Sequence, residues 1–329
     1  MLVWRGMVPN IQFSRGNFFK HLPASTPTSI CCPCNIISTG TLFTTRALRS
    51  SYFESLASHQ KDQVHLYVDT LLQWNQRMNL TAVTEVNEVM ERHIEDSLAI
   101  IPPMRSSYAS HCNDSVDSIN LVDVGSGAGL PGLILAIACP DWKVTLLESM
   151  NKRCVFLENA IGLAGLSNVR VVRGRAENLG QDLCFREKFD VAVARAVAEM
   201  RILAEYCLPL VRVGGLFVAA KGHDPQEEVR NAERAIQMMG SSLLQLSSGG
   251  YFACMIHSIH FQSSPLRLGY EFFACTYFWH LIMLFFVFLV CPVESHSPYG
   301  QRTAIICLKD RPTPRKYPRD PGVPAKAPL

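Results

Sequence analysis

Asp123-Val-Gly-Ser-Gly-Ala-Gly-Leu-Pro-Gly132 decides how this chain is read. An apolar run at 119–124 leads straight into it, and a helical pattern starts near Leu130. Gly125, Gly127 and Gly129 let backbone approach a ligand where any Cβ would clash. A strand that turns through such a loop into a helix start presents N–H groups to a nucleotide-like cofactor. Gly127-x-Gly129-x-x-Gly132 also satisfies dinucleotide spacing, so the loop alone leaves two cofactor classes open.

Three residues around it favour S-adenosylmethionine over a dinucleotide. Asp123 immediately precedes the loop, where an acid can face the cationic amino-acid end of that cofactor. Pro131 removes an N–H that a pyrophosphate would use. Glu148 closes the second apolar run, where a carboxylate can accept both ribose hydroxyls. Nicotinamide enzymes place an acid there too, so Glu148 discriminates only together with the others. A plain turn would need neither three glycines nor two strand-end acids.

Outward from the loop, short apolar runs alternate with helical stretches. Strands are expected at 119–124, 143–147, 169–172, 189–194 and 215–220, with helices starting near Leu130, Asn151, Val197 and Pro225. Asp224 supplies an N-cap, Pro225 a first helical residue and Gly240 an end for the last helix. This alternation predicts a mostly parallel α/β sheet covered on both faces. Two further strands are expected at 242–247 and 303–309. Residues 52–105 read as a helical lead-in, and polar residues 106–118 as a surface loop. In an open parallel sheet the carboxyl ends of strands line the ligand crevice. That places Arg175-Ala176-Glu177, after the third strand, and Arg195, after the fourth, at the cofactor.

Composition limits the partners. The net charge is +3, but residues 1–53 hold Arg5, Arg15, Lys20, Arg46 and Arg49 and no acid. The rest is close to neutral, so a nucleic acid would meet a local patch and not a global field. A Ser/Thr-rich, Arg-bearing, acid-free start predicts a disordered organelle transit peptide over 1–51. Of the 12 cysteines only Cys31 and Cys34 stand at C-x-x-C spacing, inside the acid-free start, and those beyond it are scattered singly, which argues against a zinc site or a disulfide framework. The segment 309–329 is basic and proline-rich, with Tyr317 available to stack on a base.

These features together carry a family resemblance. Trp74-Asn-Gln-Arg-Met-Asn-Leu-Thr81, His93-Ile-Glu-Asp-Ser-Leu98, the glycine loop, Leu147-Glu-Ser-Met-Asn-Lys-Arg153, Gly174-Arg-Ala-Glu177, Ala194-Arg-Ala196, Lys221-Gly222 and the carboxyl end resemble the RsmG/GidB methyltransferases, which modify N7 of a guanine in the 530 loop of small-subunit (16S-type) ribosomal RNA. The resemblance covers roughly 52–248 and 293–329. It implies a Rossmann-like class I methyltransferase with a seven-stranded sheet in a core at 119–248, bearing S-adenosylmethionine, needing no metal and acting as a monomer. Asp123, Gly125, Gly127, Gly129, Leu130, Glu148, Ala176, Glu177 and Arg195 would then form the cofactor site. Catalysis would rest on positioning, Arg195 being the one residue with a direct part. Lys152, Arg153, Arg315, Lys316, Tyr317, Arg319 and Lys326 would meet the RNA or its ribosomal precursor. Asn79, Thr81, His93 and Asp96 would either face the RNA or tie the lead-in to the sheet.

A presequence on such an enzyme implies a nuclear-encoded organellar form, in the chloroplast stroma first and the mitochondrion second. Residues 249–292 depart from the family, in which the last two strands form a short hairpin. Phe272 to Pro292 holds no charge, so the stretch is read as a retained intron or gene-model artefact, or else as a membrane-contacting insertion. Residues 293–329 complete the chain as a last strand and basic tail. Two other functions compete: a methyltransferase acting on a small molecule or protein, and a membrane-tethered binding protein without catalysis.

Overall fold

The computed structural model describes residues 51–112, 114–222, 225–244, 291–293 and 302–329. The transit-peptide reading of 1–51 and most of the 249–292 stretch lie outside them, as does Asp224. Among the described residues no helix is long and apolar enough to cross a membrane.

Among the described residues eight strands make one sheet. They are β1 (Asn120–Val124), β2 (Lys143–Glu148), β3 (Val169–Arg173), β4 (Phe189–Arg195), β5 (Val211–Lys221), β6 (Ser241–Leu243), β7 (Cys291–Val293) and β8 (Arg302–Lys309). Their order is β3-β2-β1-β4-β5-β8-β6, with β7 also on β8. The first five are parallel, and β8 enters antiparallel between β5 and β6. Order reverses between β1 and β4, which puts the ligand crevice at the carboxyl end of β1.

Alternation along the strands feeds two cores. Leu121, Val144, Val191, Leu216 and Ile306 face one layer, against α1 (Ser58–Asn75), α4 (Ile101–His111), α5 (Gly132–Ala138) and α6 (Asn151–Leu163). Val122, Ala192, Phe217 and Ile305 face the other, against α8 (Met200–Cys207) and α9 (Gln226–Met238). Between α1 and α4 the chain forms α2 (Val86–Val89), a π-helical stretch Met90–Glu95 and α3 (Asp96–Leu98). Among the described residues a short α7 (Ala176–Gln181) and α10 (Val323–Lys326) complete the α-helices.

Three local readings need correcting. Residues 106–111 are helix and not surface loop, because Met104 and Tyr108 pack into the core; the Ser107 and Ser110 hydroxyls turn back to the carbonyls of Pro103 and Ser106. The helix expected near Val197 starts instead at Met200, whose N–H is taken by Glu228 Oε1 at 2.6 Å. The helix after Pro225 starts one residue later, with Pro225 as its cap.

The tail is likewise not an extended basic arm. Glu205 is fully buried and receives the backbone N–H and guanidinium of Arg319 at 2.7–3.1 Å. Arg186 donates to the carbonyls of Gly180, Thr313, Pro314 and Tyr317. Lys309 is fully buried, and donates to Leu208 O and to Thr313 Oγ1. Burial pushes its pKa down to about 8, aided by Arg186 and opposed by Glu187. The segment is a strap sewn onto the second core.

The outer edge of the sheet is assembled from two pieces. Ser241, Ser242 and Leu243 pair with Lys309, Leu308 and Cys307, and the Leu244 N–H reaches Ile306 O at 2.9 Å. Cys291, Pro292 and Val293 pair with Ala304, Thr303 and Arg302. One ladder position, opposite Ile305, separates the pieces. The two pieces therefore continue one edge in register along β8. Excising 246–290 should leave a folded chain that binds cofactor with unchanged affinity and unfolds at the same or higher temperature. A calorimetric midpoint lowered by several degrees would contradict the composite strand.

Candidate functional site

The glycine loop is built by backbone. Gly125 and Ser126 donate to Leu147 O at 2.9 and 3.1 Å, and Gly129 donates to Ser126 O at 2.7 Å. The three glycines take φ values of +75°, +57° and +85°, where side chains are strained. A Cβ on Gly125 would meet Val197 Cγ2 at 2.9 Å, and one on Gly129 would meet Leu133 Cδ1 at 2.5 Å. The loop is thus open to close approach on the face that Gly127 leaves clear.

Asp123 lies under this loop and not on its ligand face. It is 1% exposed, and its Oδ2 accepts the Gly132 N–H at 3.0 Å. Burial pushes its pKa up to about 7, against the Gly132 hydrogen bond and the charge of Arg195. Its carboxylate joins the end of β1 to the first turn of α5, which serves the cofactor loop indirectly. The expected contact with an amino-acid end is not what this placement offers.

Two cavities adjoin at Gly125, Ser149 and Val197. The larger, about 410 Å³, is lined among others by Thr81, Gly127, Leu130, Glu148, Arg153 and Arg195. The smaller, about 140 Å³, is lined by Gly174, Ala176, Glu177 and Tyr206. Glu148 Oε2 accepts the Gly127 N–H at 3.0 Å, and Oε1 the Met150 N–H at 2.8 Å. Glu177 is 3% exposed and takes Arg175 and the Gly322 N–H, each at 2.9 Å. Burial raises its pKa, but Arg175 and Gly322 outweigh this and hold the carboxyl below its usual range. Of the nine expected cofactor residues, Gly129 supports the turn and Asp123 lies beneath it. The other seven line these cavities.

A third cavity, about 230 Å³, opens beside them. Its walls include Asp96, Ile100, Arg195, Ala196, Lys221 and Thr303. Ala196 has φ +54°, uncommon for a residue with a Cβ, and turns the chain between the cavities. The lead-in both ties and lines. Thr81 Oγ1 meets His93 Nε2 at 2.8 Å, and Asn75 holds the N–H groups of Leu80 and Thr81. Asn79 does not line these three cavities.

The expected RNA contacts divide. Tyr317 is 5% exposed and belongs to the second core, so it cannot stack on a base. Arg319 is spent on Glu205. Arg315, Lys316, Lys326 and Lys152 are exposed, and Arg153 stands half-exposed at the rim, 3.8 Å from Glu148. Sequence reasoning missed Tyr67, which is buried on α1 and donates to Ala128 O at 2.7 Å, pinning the lead-in to the loop. It also missed Glu95, which takes the N–H groups of Tyr52 and Phe53. Neither carries a spacing signal. Among the described residues no His, Cys, Asp and Glu cluster could hold a metal.

Comparison with known proteins places this geometry. A family model described as "GidB: rRNA small subunit methyltransferase G" matches residues 60–251. A ribosomal RNA small subunit methyltransferase G of Alkaliphilus metalliredigens is 36% identical over 82% of this chain and 91% of its own length. One from Moorella thermoacetica is 36% identical over 84% of this chain and 92% of its own. One from Alkaliphilus oremlandii is 37% identical over 82% of this chain and 91% of its own.

The buried carboxyl of Asp123 sets a pH dependence. From about pH 4, where an unfolded Asp ionises, up to about pH 7 the folded chain keeps a proton that the unfolded chain releases. Its contribution to stability therefore falls as pH rises through that window. Urea unfolding at pH 5 and pH 8 should show the native chain losing more stability between the two than Asp123→Asn. Equal losses would remove the argument.

Proposed function

Because the chain belongs to the rRNA small subunit methyltransferase G (GidB) family, we propose that it moves a methyl group from S-adenosylmethionine to N7 of a guanine in small-subunit ribosomal RNA. The observation that carries this is the groove over the glycine loop, with Glu148 and Glu177 at the ends of β2 and β3 and Arg195 at the end of β4. The residues fit the cofactor. Backbone without Cβ atoms faces the larger cavity, and a carboxylate that now takes the Gly127 N–H stands where ribose hydroxyls would be held.

S-adenosylmethionine supplies an activated methyl on a sulfonium. The protein's part is to bind, orient and exclude water. Gly125, Gly127 and Leu130 would shape the bed for the amino-acid end, Glu148 would hold the ribose, and Ala176 and Glu177 would border the adenine. Guanine N7 has a free lone pair and no proton, so no general base is required. Holding two reactants in line can supply about 7–11 kcal/mol of the barrier. Arg195 and the turn at Ala196 lie where the methyl donor and the accepting base would meet.

The RNA would cross the carboxyl ends of the strands, with Lys152 and Arg153 on its phosphates and Arg315, Lys316 and Lys326 as outlying contacts. The acid-free start at 1–51 supports import into the chloroplast stroma, with the mitochondrion as the alternative. The register of the composite edge strand supports a working form that lacks the apolar stretch, which would then be a retained intron.

Depleting the protein in its source should abolish borohydride/aniline cleavage at that guanine of organellar small-subunit RNA. Undiminished cleavage rejects the function. Residues 1–51 fused to a fluorescent protein should carry it into plastids, and fluorescence left in the cytosol would sink the organellar reading.

A further inference from the structure

The lining of the third cavity divides by position. His93, Arg195 and Ala196 line both it and the glycine-loop cavity, so they stand at the passage between the two. Asp96, Ile100, Lys221 and Thr303 line the third cavity and not its neighbour, so they stand back from that passage. Ile100 is 1% exposed and Asp96 only 5%. Drug-sized ligands take roughly 300–1,000 Å³. A cavity of about 230 Å³ instead suits one flat ring system.

We propose, on the premise of methyl transfer to guanine N7, that this cavity receives the target base turned out of the RNA. Asp96 reads its Watson–Crick edge. Enzymes that act on a base extrude it into such pockets and read that edge by hydrogen bonds. In guanine, N7 lies across the purine from the N1–H and N2 amino donors. With N7 at the passage, those donors point to the interior wall. A carboxylate has two oxygens that can accept them side by side. Adenine presents an acceptor at N1, which a carboxylate repels. Lys221 cannot take this part, since an ammonium has no acceptor to offer those donors.

The same placement helps the chemistry. The N7 lone pair forms the new bond to the methyl carbon while the carbon–sulfur pair returns to sulfur. The positive charge passes from the sulfonium to the purine, and no proton moves. A buried carboxylate on the far edge of the ring stabilises that charge as it develops, and so acts more on the transition state than on the bound base.

The test uses the full chain and two small-subunit RNA fragments, one with guanine at the target and one with inosine, which keeps N7 and N1–H but lacks the N2 amino group. The native chain should prefer guanine by about 10- to 100-fold in kcat/KM. Asp96→Asn should lose activity on both RNAs, because N1–H and the developing charge lose their partner, but should lose about 10- to 100-fold more on guanine, so the preference collapses. Its affinity for S-adenosylmethionine, by calorimetry, should be unchanged. A native chain that treats both RNAs alike, or a variant that loses both activities equally, overturns the assignment. A native chain that binds S-adenosylmethionine yet methylates neither RNA overturns the premise and the pocket with it.

Discussion

One hydrogen bond, from the Gly132 N–H to the buried Oδ2 of Asp123, fixes where this protein can bind anything. It joins the last turn of β1 to the first turn of α5, and everything between must then fold as a compact loop. Gly125 and Ser126 reach Leu147 O as the β1–β2 ladder runs on past Val124 into that loop. The cost is a carboxyl group taken wholly out of water, with its proton affinity raised accordingly. No open ligand contact would justify such burial. A loop that must present bare backbone in one conformation does.

The same economy recurs at the end of β2 and on α7 and α8. Glu148 takes the N–H groups of Gly127 and Met150, Glu177 takes that of Gly322, and Glu205 takes that of Arg319. Acids in this half of the molecule hold backbone in place before they hold anything else. Through Glu177 the carboxyl-terminal strap reaches the edge of the smaller cavity, so that cavity and the strap share one ion-paired group. The strap is therefore part of the site's frame, although its basic composition reads as a surface arm.

Much of this was legible in the sequence. Strands recur as runs of apolar residues because they are buried on both faces, and the glycine loop announces itself because only glycine adopts those φ values cheaply. Lining positions at the ends of β2, β3 and β4 followed from the rule for open parallel sheets. What stayed illegible depends on partners far away in the chain. Tyr317 and Arg319 look like nucleic-acid contacts until Glu205 and Arg186 are seen beneath them. Tyr67 is one more apolar face residue until its hydroxyl meets Ala128 O. Ser106 and Ser110 look like loop because serine competes with helix in isolation, and only packing of Met104 and Tyr108 decides otherwise.

The two-piece edge strand has a consequence for how the polypeptide holds together. β8 is retained by six residue pairs with β5, by the ladder to Ser241–Leu243 and by the strap's grip on Glu205 and Arg186. None of those contacts needs the peptide that runs from 246 to 290. Topologically the molecule is a large body and a carboxyl-terminal plug joined along a seam. A nick in that connection would leave the two fragments interlocked as a complemented pair, the plug still filling the second core and still touching Glu177 through Gly322.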